Sequence, residues 1–257
     1  MNTIRAFVPI LAIPLTLIAW AFGFRRRIVS HNLEIMEWTK TPWLRFQLCL
    51  HAARDLSEFA LGYKSPPSVH SRSLKYLEEM RRGPSLLLTA HFHNWEKLGA
   101  DLRTLGVPLL AAAMPLRNHW ANRLLVRWRK RWDLTVVTDH VSRTALTHLT
   151  GRGCFAFLWD QDSPGSDTHG QFHGIPVRMN PIPEFLLSKV FCPVYFGVLL
   201  PGCVIRLIPL ARTGDHPISS LQRRYHRVLE SLVGKYPEYW YGFFHARFKN
   251  STRYPGR

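Results

Sequence analysis

The apolar run Leu86-Leu87-Leu88, leading into Thr89-Ala90-His91-Phe92-His93-Asn94-Trp95-Glu96, constrains the fold of this chain more than any other stretch. A short apolar run of this kind reads as a strand covered on both faces. The order of apolar run, polar break and helix beginning near Asn94 predicts a strand, a tight turn and a helix. The pattern then alternates. Residues 95–104 read as a helix, 107–114 as a strand, 118–131 as a strongly basic helix, 134–138 as a strand, 142–150 as a short helix and 154–159 as a strand. Alternation of this kind implies parallel strands joined by helical crossovers.

Residues 194–200 and 203–210 flank Pro201-Gly202, a hairpin signal. The expected fold is therefore α/β, with a mixed, mostly parallel sheet flanked by helices and an antiparallel pair at one side. Ahead of the alternating region, Thr41 reads as an N-cap with Pro42 at the first helical position. Leu44, Leu48, Ala52, Leu56 and Phe59 recur there at helical spacing, and Gly62 with Pro66-Pro67 ends that helix. A second helix covers residues 71–82, stopped by Gly83-Pro84. A last amphipathic helix spans residues 219–235, with Leu221, Tyr225, Val228, Leu229 and Leu232 as its stripe. No internal repeat or low-complexity linker interrupts the chain, so residues 28–257 are expected to form one α/β domain.

Residues 6–24 are almost uncharged and are followed at once by Arg25-Arg26-Arg27. Their length suits a short membrane span, and the arginines favour a cytoplasmic position for the chain beyond them. Residues 1–27 are thus expected to form an N-terminal membrane anchor helix. Pro9 and Pro14 would bend it, which leaves an interfacial or re-entrant anchor open. Ala19-Trp20-Ala21 mimics a signal-peptide cleavage site, but a basic cluster straight after the apolar run argues against export. Trp20, Trp38 and Trp43 suit interfacial anchoring, and Trp43 suits a core position equally well.

Lys plus Arg is 34 against 17 Asp plus Glu, a net charge of +17. Such an excess attracts a polyanion: nucleic acid, an anionic membrane, a phosphorylated substrate or an acidic protein. Arg123, Arg127 and Arg131 lie four apart and form one basic ridge that fits a solvated helix face or a contact with phosphate or an acidic carrier, while Arg129 is on a different helix face. Cys49, Cys154, Cys192 and Cys203 form no CxxC and read as reduced, buried thiols. His91 and His93 form an HxH pair without a carboxylate or thiol at matching spacing, so no metal site is expected.

The chemistry centres on His91 and Glu96. Five steps of an ideal helix turn a side chain by about 140°, so the two meet only if His91 sits in the turn before the helix. Glu96 would then hold one imidazole nitrogen and leave the other free to accept a proton. A buried histidine satisfied by its own loop fits the spacing as well. The chain has no GxSxG elbow and no evident activated cysteine. A base without a protein nucleophile suits direct attack by a substrate hydroxyl or water. Asp160 falls at the end of an apolar strand, where α/β sites gather, and it also fits a plain strand-end turn. Gln161 and Asp162 read as loop residues.

His-x4-Glu after an apolar strand, with Asn94-Trp95 before the Glu, resembles the bacterial late acyltransferases of lipid A synthesis. The resemblance continues through Arg25-Arg26-Arg27 with Asn32-Leu33, and through Arg117-Asn118 with Asn122-Arg123-Leu124. It extends to Trp159-Asp160-Gln161-Asp162 with Phe172 and Gly174, and to Tyr236-Pro237-Glu238, Trp240 and His245-Ala246-Arg247-Phe248-Lys249. It implies a glycerol-3-phosphate acyltransferase-like fold at the cytoplasmic face of a bacterial inner membrane. It implies acyl transfer from an acyl carrier protein thioester, or from acyl coenzyme A, to a hydroxyl of a phosphorylated glycolipid, with no further cofactor and no nucleic acid. His91 would be the general base and Glu96 its orienting partner, with Arg129 and Asp160 at the positions of two further functional residues. Arg117, Arg127, Arg129, Asp160 and Arg247 are expected substrate contacts; Arg247 and Lys249 fit a solvated basic tail as well. Donors for the oxyanion would be backbone N–H groups of the turn or Arg129. Two departures stand out: His93 occupies a position where that family usually has Gly, and the terminal Trp-to-His spacing is about a residue longer. Acylation of a lysophospholipid or another glycolipid from coenzyme A is an alternative, as is a non-enzymatic basic protein that coats membranes or nucleic acid.

Overall fold

A computed structural model describes residues 2–39, 42–163, 166, 169–212 and 219–248. Its elements in order are helices α1 (Asn2–Ala21), α2 (Arg26–Ile35) and α3 (Pro42–Leu61), strand β1 (Ser68–Val69), α4 (Leu74–Arg82), β2 (Ser85–Thr89) and α5 (Trp95–Thr104). There follow β3 (Leu109–Ala112), α6 (His119–Arg131), β4 (Val136–Val137), α7 (Val141–Thr150) and β5 (Cys154–Leu158). The chain ends with β6 (His169–Phe172), β7 (Ile175–Arg178), α8 (Ile182–Leu187), β8 (Val194–Leu200), β9 (Val204–Ala211) and α9 (Ser219–Lys235). The Thr41 cap and Lys249 lie outside the described residues.

The main sheet has the order β1-β9-β8-β2-β5-β3-β4. All its pairings are parallel except β8 with β9, the expected hairpin around Pro201-Gly202. The apolar triplet explains why β2 sits in the middle. Leu86 and Leu88 point into one core cluster, with Tyr225 and Leu229 of α9 and Ala145 and Leu149 of α7. Leu87 points into the other, with Leu77 and Met80 of α4 and Leu98 and Leu102 of α5. β5 splits in the same way, Phe155 and Phe157 to one side and Cys154 and Ala156 to the other. Each leucine so enclosed contributes roughly 1.5–3 kcal/mol of burial. Of the expected α9 stripe, Leu221, Tyr225 and Leu229 are buried and Val228 and Leu232 half-buried, and Val233, which the stripe did not include, is buried with them.

Other elements carried no periodic signal. α2, β1, the antiparallel pair β6–β7 and α8 are short and are stabilised by packing more than by their own pattern. β3 and β4 are shorter than residues 107–114 and 134–138 suggest, because only the pairing partners Leu109–Ala112 and Val136–Val137 complete a ladder.

The expected anchor needs correction. No single helix among the described residues is long and apolar enough to cross a membrane. Residues 7–21 of α1 and all of α2 form a pair bent by 75°. The bend falls at Gly23 and Arg25, which take φ values of 67° and 52°, and the helix runs on through Pro9 and Pro14. One face of α1 packs against the protein: Val8, Ala12 and Thr16 are buried. The opposite face exposes Ile10, Ile13, Leu17 and Ile18.

Beneath α5, the buried Lys97 ammonium donates to both Asp101 oxygens, at 2.8 and 2.6 Å, and to the Ser65 carbonyl at 3.2 Å. Burial raises the Asp101 pKa, and Lys97 opposes that. Lys97→Met strands a buried carboxylate and is expected to cost about 3–5 kcal/mol in urea unfolding, most of it recovered in Lys97→Met/Asp101→Leu. Equal losses in the single and double variants would show that the pair does not carry this stability.

Candidate active site

Adjacent parallel strands place the two central residues. Thr89 of β2 pairs with Leu158 of β5, and the Trp159 N–H extends the ladder to the Thr89 carbonyl at 3.0 Å. Two residues past that register, His91 and Asp160 stand side by side at the carboxyl ends of the strands. His91 Nδ1 lies 2.7 Å from Asp160 Oδ1, and the His91 backbone N–H donates to Asp160 Oδ2 at 2.9 Å. The Trp240 indole N–H donates to the same Oδ2 at 3.0 Å. Asp160 is buried. Burial alone would push its carboxyl up. The attraction of His91, its two hydrogen bonds and the nearby Arg247 charge outweigh burial and hold Asp160 well below the usual carboxylate range. An ionised Asp160 accepts from Nδ1–H and so leaves the Nε2 lone pair of His91 as its basic position.

The carboxyl-terminal segment backs this turn. Phe92 and Trp240 form an antiparallel bridge, the His93 N–H donates to the Tyr239 carbonyl at 2.8 Å, and the Tyr241 N–H donates to the His91 carbonyl at 2.7 Å. His93 takes φ 49°, in the left-handed region that favours glycine. A glycine-type position thus holds a histidine here, and two contacts offset its backbone cost. Its Nδ1 accepts the Asn94 N–H at 2.7 Å, and its ring stacks on Tyr239. Asn94 caps α5 by accepting the Lys97 N–H at 3.0 Å.

Glu96 is not the partner of His91, contrary to expectation. Its oxygens receive Arg129 Nε at 3.1 and 3.2 Å and Nη2 at 2.6 Å. Glu96 lies in the first turn of α5 and reaches across to the last turn of α6, so the pair ties these two helices together. A carboxylate in the adjoining helix looks like the natural partner of a loop histidine, but the register of two strands delivers Asp160 from 69 positions away. Arg129 does turn inward, as its separate helix face suggested, and its Nε and Nη2 are engaged by Glu96. The turn amides are also occupied. The N–H groups of Phe92 and Trp95 bond to the Ala90 and His93 carbonyls, and those of His91, His93 and Asn94 to Asp160, the Tyr239 carbonyl and the His93 ring. The turn amides are therefore not freely available as oxyanion donors.

Arg247 is a further correction. It is 1% exposed and cannot be a solvated tail or reach a lipid phosphate. Its Nη2 lies 3.2 Å from His226 Nε2 and 3.5 Å from Met179 Sδ. Its charge faces inward as a counter-charge to Asp160. Burial lowers the His226 pKa to about 3, with Arg247 adding to that effect. Arg117 and Arg127 are exposed. Arg117, Trp120 and Arg123 rim an open hollow of about 700 Å³ at the start of α6, where the Arg123 guanidinium sits 4.4 Å from the Trp120 ring centre. No residue touching His91 lines it. Arg131, on the same ridge, docks on the Ala60 carbonyl at 2.8 Å.

Gln161 and His245 escaped sequence reasoning as site residues. The Gln161 amide nitrogen lies 3.1 Å from His91 Nε2 and 3.3 Å from His245 Nε2. Burial, then the proximity of His91, lowers the His245 pKa to about 4. Trp95 closes another side of His91, its ring centre 5.0 Å away. No group of His, Cys, Asp and Glu that could hold a metal ion occurs among the described residues. No family model and no curated protein matches the chain.

Asp160 titrates lower in the folded protein than in the unfolded chain. It therefore stabilises the fold above about pH 4, and this contribution fades as pH falls through the folded value. The stability gap between wild type and Asp160→Asn in urea is expected to narrow from about pH 7 to about pH 3; a constant gap would mean that charge is not what holds Asp160. A Cβ at Gly242 would lie 2.1–2.4 Å from the Trp240 indole. Gly242→Ala is expected to displace that ring, cost about 1–3 kcal/mol and quench or shift tryptophan fluorescence. Unchanged stability and emission would show that the strap has room to yield.

Proposed function

We propose that this protein is a membrane-associated O-acyltransferase. In this reading it moves a fatty acyl chain from an acyl carrier protein thioester to a hydroxyl of a phosphorylated glycolipid, a lipid A precursor, at the cytoplasmic face of a bacterial inner membrane. One observation carries the reading: an imidazole fixed by a buried aspartate at 2.7 Å, with its second nitrogen turned to a side-chain amide. The four sequence blocks that resemble the late acyltransferases supply the reaction class.

His91 Nε2 takes the proton of the acceptor hydroxyl as its oxygen attacks the thioester carbonyl carbon. Asp160 stabilises the imidazolium that forms. The tetrahedral oxyanion collapses, the C–S bond breaks, and the thiolate leaves with the proton held at Nε2. The acyl group ends as an ester and His91 returns to its neutral form. Glu96 and Arg129 act one step away, by locking α5 against α6. The mostly parallel sheet, with the site at its carboxyl edge, suits the glycerol-3-phosphate acyltransferase-like fold that the resemblance implies.

The surface suits the reactants. Ile10, Ile13, Leu17 and Ile18 on α1 are exposed, and Arg25-Arg26-Arg27 follow them. An apolar face with a basic flank favours a helix lying in an anionic lipid interface. No Asp or Glu interrupts residues 102–132, which carry Arg117, Arg123, Arg127 and Lys130. Such a surface favours an acidic carrier and a phosphorylated acceptor.

The test uses full-length protein in mixed detergent–lipid micelles, offered acyl carrier protein and coenzyme A thioesters side by side. His91→Ala is expected to lower transfer by about 10²–10⁴-fold while membrane retention is unchanged. Wild-type turnover in that variant would overturn the mechanism. A preference for coenzyme A would move the assignment to a lysophospholipid or other glycolipid acyltransferase. Salt-dependent oligonucleotide binding without any transfer would favour a non-enzymatic basic protein.

A further inference from the structure

The proton-accepting nitrogen of His91 is already occupied. With Nδ1–H committed to Asp160, Nε2 can only accept, and the group facing it at 3.1 Å is the Gln161 amide. The other N–H of that amide points at His245 Nε2, 3.3 Å away. His245 is well placed to receive it. Burial keeps its ring neutral near pH 7, so Nε2 can carry a lone pair. Its backbone is strapped in turn: its N–H donates to the Gly242 carbonyl at 3.0 Å, and its carbonyl accepts from the buried Asn32 side chain at 2.8 Å. One primary amide thus bridges two imidazoles, both as acceptors.

A hydroxyl that gives its proton to Nε2 must approach within about 2.6–3.2 Å of it. That is the position the Gln161 nitrogen fills. Meanwhile the amides of the His91 turn are spoken for, so the oxyanion lacks the backbone donors expected of that turn.

We propose that Gln161 is a catalytic residue. It caps Nε2 of His91 in the resting site, and once displaced by the acceptor hydroxyl, with His245 still anchoring it, it turns the freed N–H onto the oxygen that gains charge in the reaction. The second half rests on the acyltransferase reading; the first does not. The other charged and titratable groups around the ring are Asp160 after β5 and His245 in the terminal strap, with Arg247 behind Asp160 and Arg25 acting on His245.

The experiment pairs two readouts on full-length protein. The first follows the His91 ring by NMR in histidine-labelled protein and needs no substrate. Gln161→Met is similar in size and donates nothing, so the His91 midpoint is expected to move to higher pH. Gln161→Glu, which adds a negative charge beside the ring, should move it further. The second compares kcat and KM with the acyl carrier protein thioester. Gln161→Met is expected to lose on the order of 100-fold in kcat, with KM for the donor changed far less. An unmoved midpoint in both variants overturns the placement of the amide. A moved midpoint with unchanged kcat overturns the donor role. Absence of transfer by the wild type overturns the acyltransferase reading and the donor role with it, and the titration still decides whether Gln161 caps the base.

Discussion

A buried carboxylate is costly unless donors surround it, and Asp160 organises this molecule by recruiting them. The His91 ring, the His91 backbone and the Trp240 indole all point at its two oxygens. Three distant parts of the chain must come together for that: the turn after β2, the end of β5 and the segment after α9. The parallel register of β2 with β5 brings the first two into line. The bridge between Phe92 and Trp240 brings the third. The sheet core and the terminal strap are thereby linked through one charged group.

The polar residues around this centre fall into roles set by burial. Arg247 and Asp160 are fully enclosed, so they set the electrostatics and cannot bind a substrate themselves. His91, Gln161 and His245 are partly exposed and face one another. Glu96 and Arg129 close a bidentate pair, the geometry in which an arginine fork gives most rigidity, and they brace the helices on either side of the turn. Arg117, Arg123 and Arg127 remain outside, where long-range attraction of an anion needs no fixed contact.

Much of the architecture was legible because it rests on local patterns. The leucine triplet, the alternation through residues 95–159 and the Pro201-Gly202 hairpin each correspond to an observed element. The α9 stripe was readable for the same reason, since helical spacing alone selects Leu221, Tyr225 and Leu229. β6, β7 and α8 were not, since they gain their stability from neighbours far along the chain. The single-helix span was misjudged because hydropathy along residues 6–24 does not reveal that Val8, Ala12 and Thr16 pack inward, nor that Gly23 and Arg25 turn the chain through 75°.

The sequence by itself determined that a histidine sits in a strand-to-helix turn, and that Asp160 ends another strand. It determined an excess of basic charge and a thiol set without metal spacing. Only the tertiary structure decided which carboxylate holds the histidine, that Arg129 belongs to Glu96, and that an amide stands on the basic nitrogen. The reason is physical. Periodicity is written in neighbouring residues, whereas a hydrogen bond between His91 and Asp160 depends on how two strands are offset, and that offset is set by the packing of both faces of the sheet.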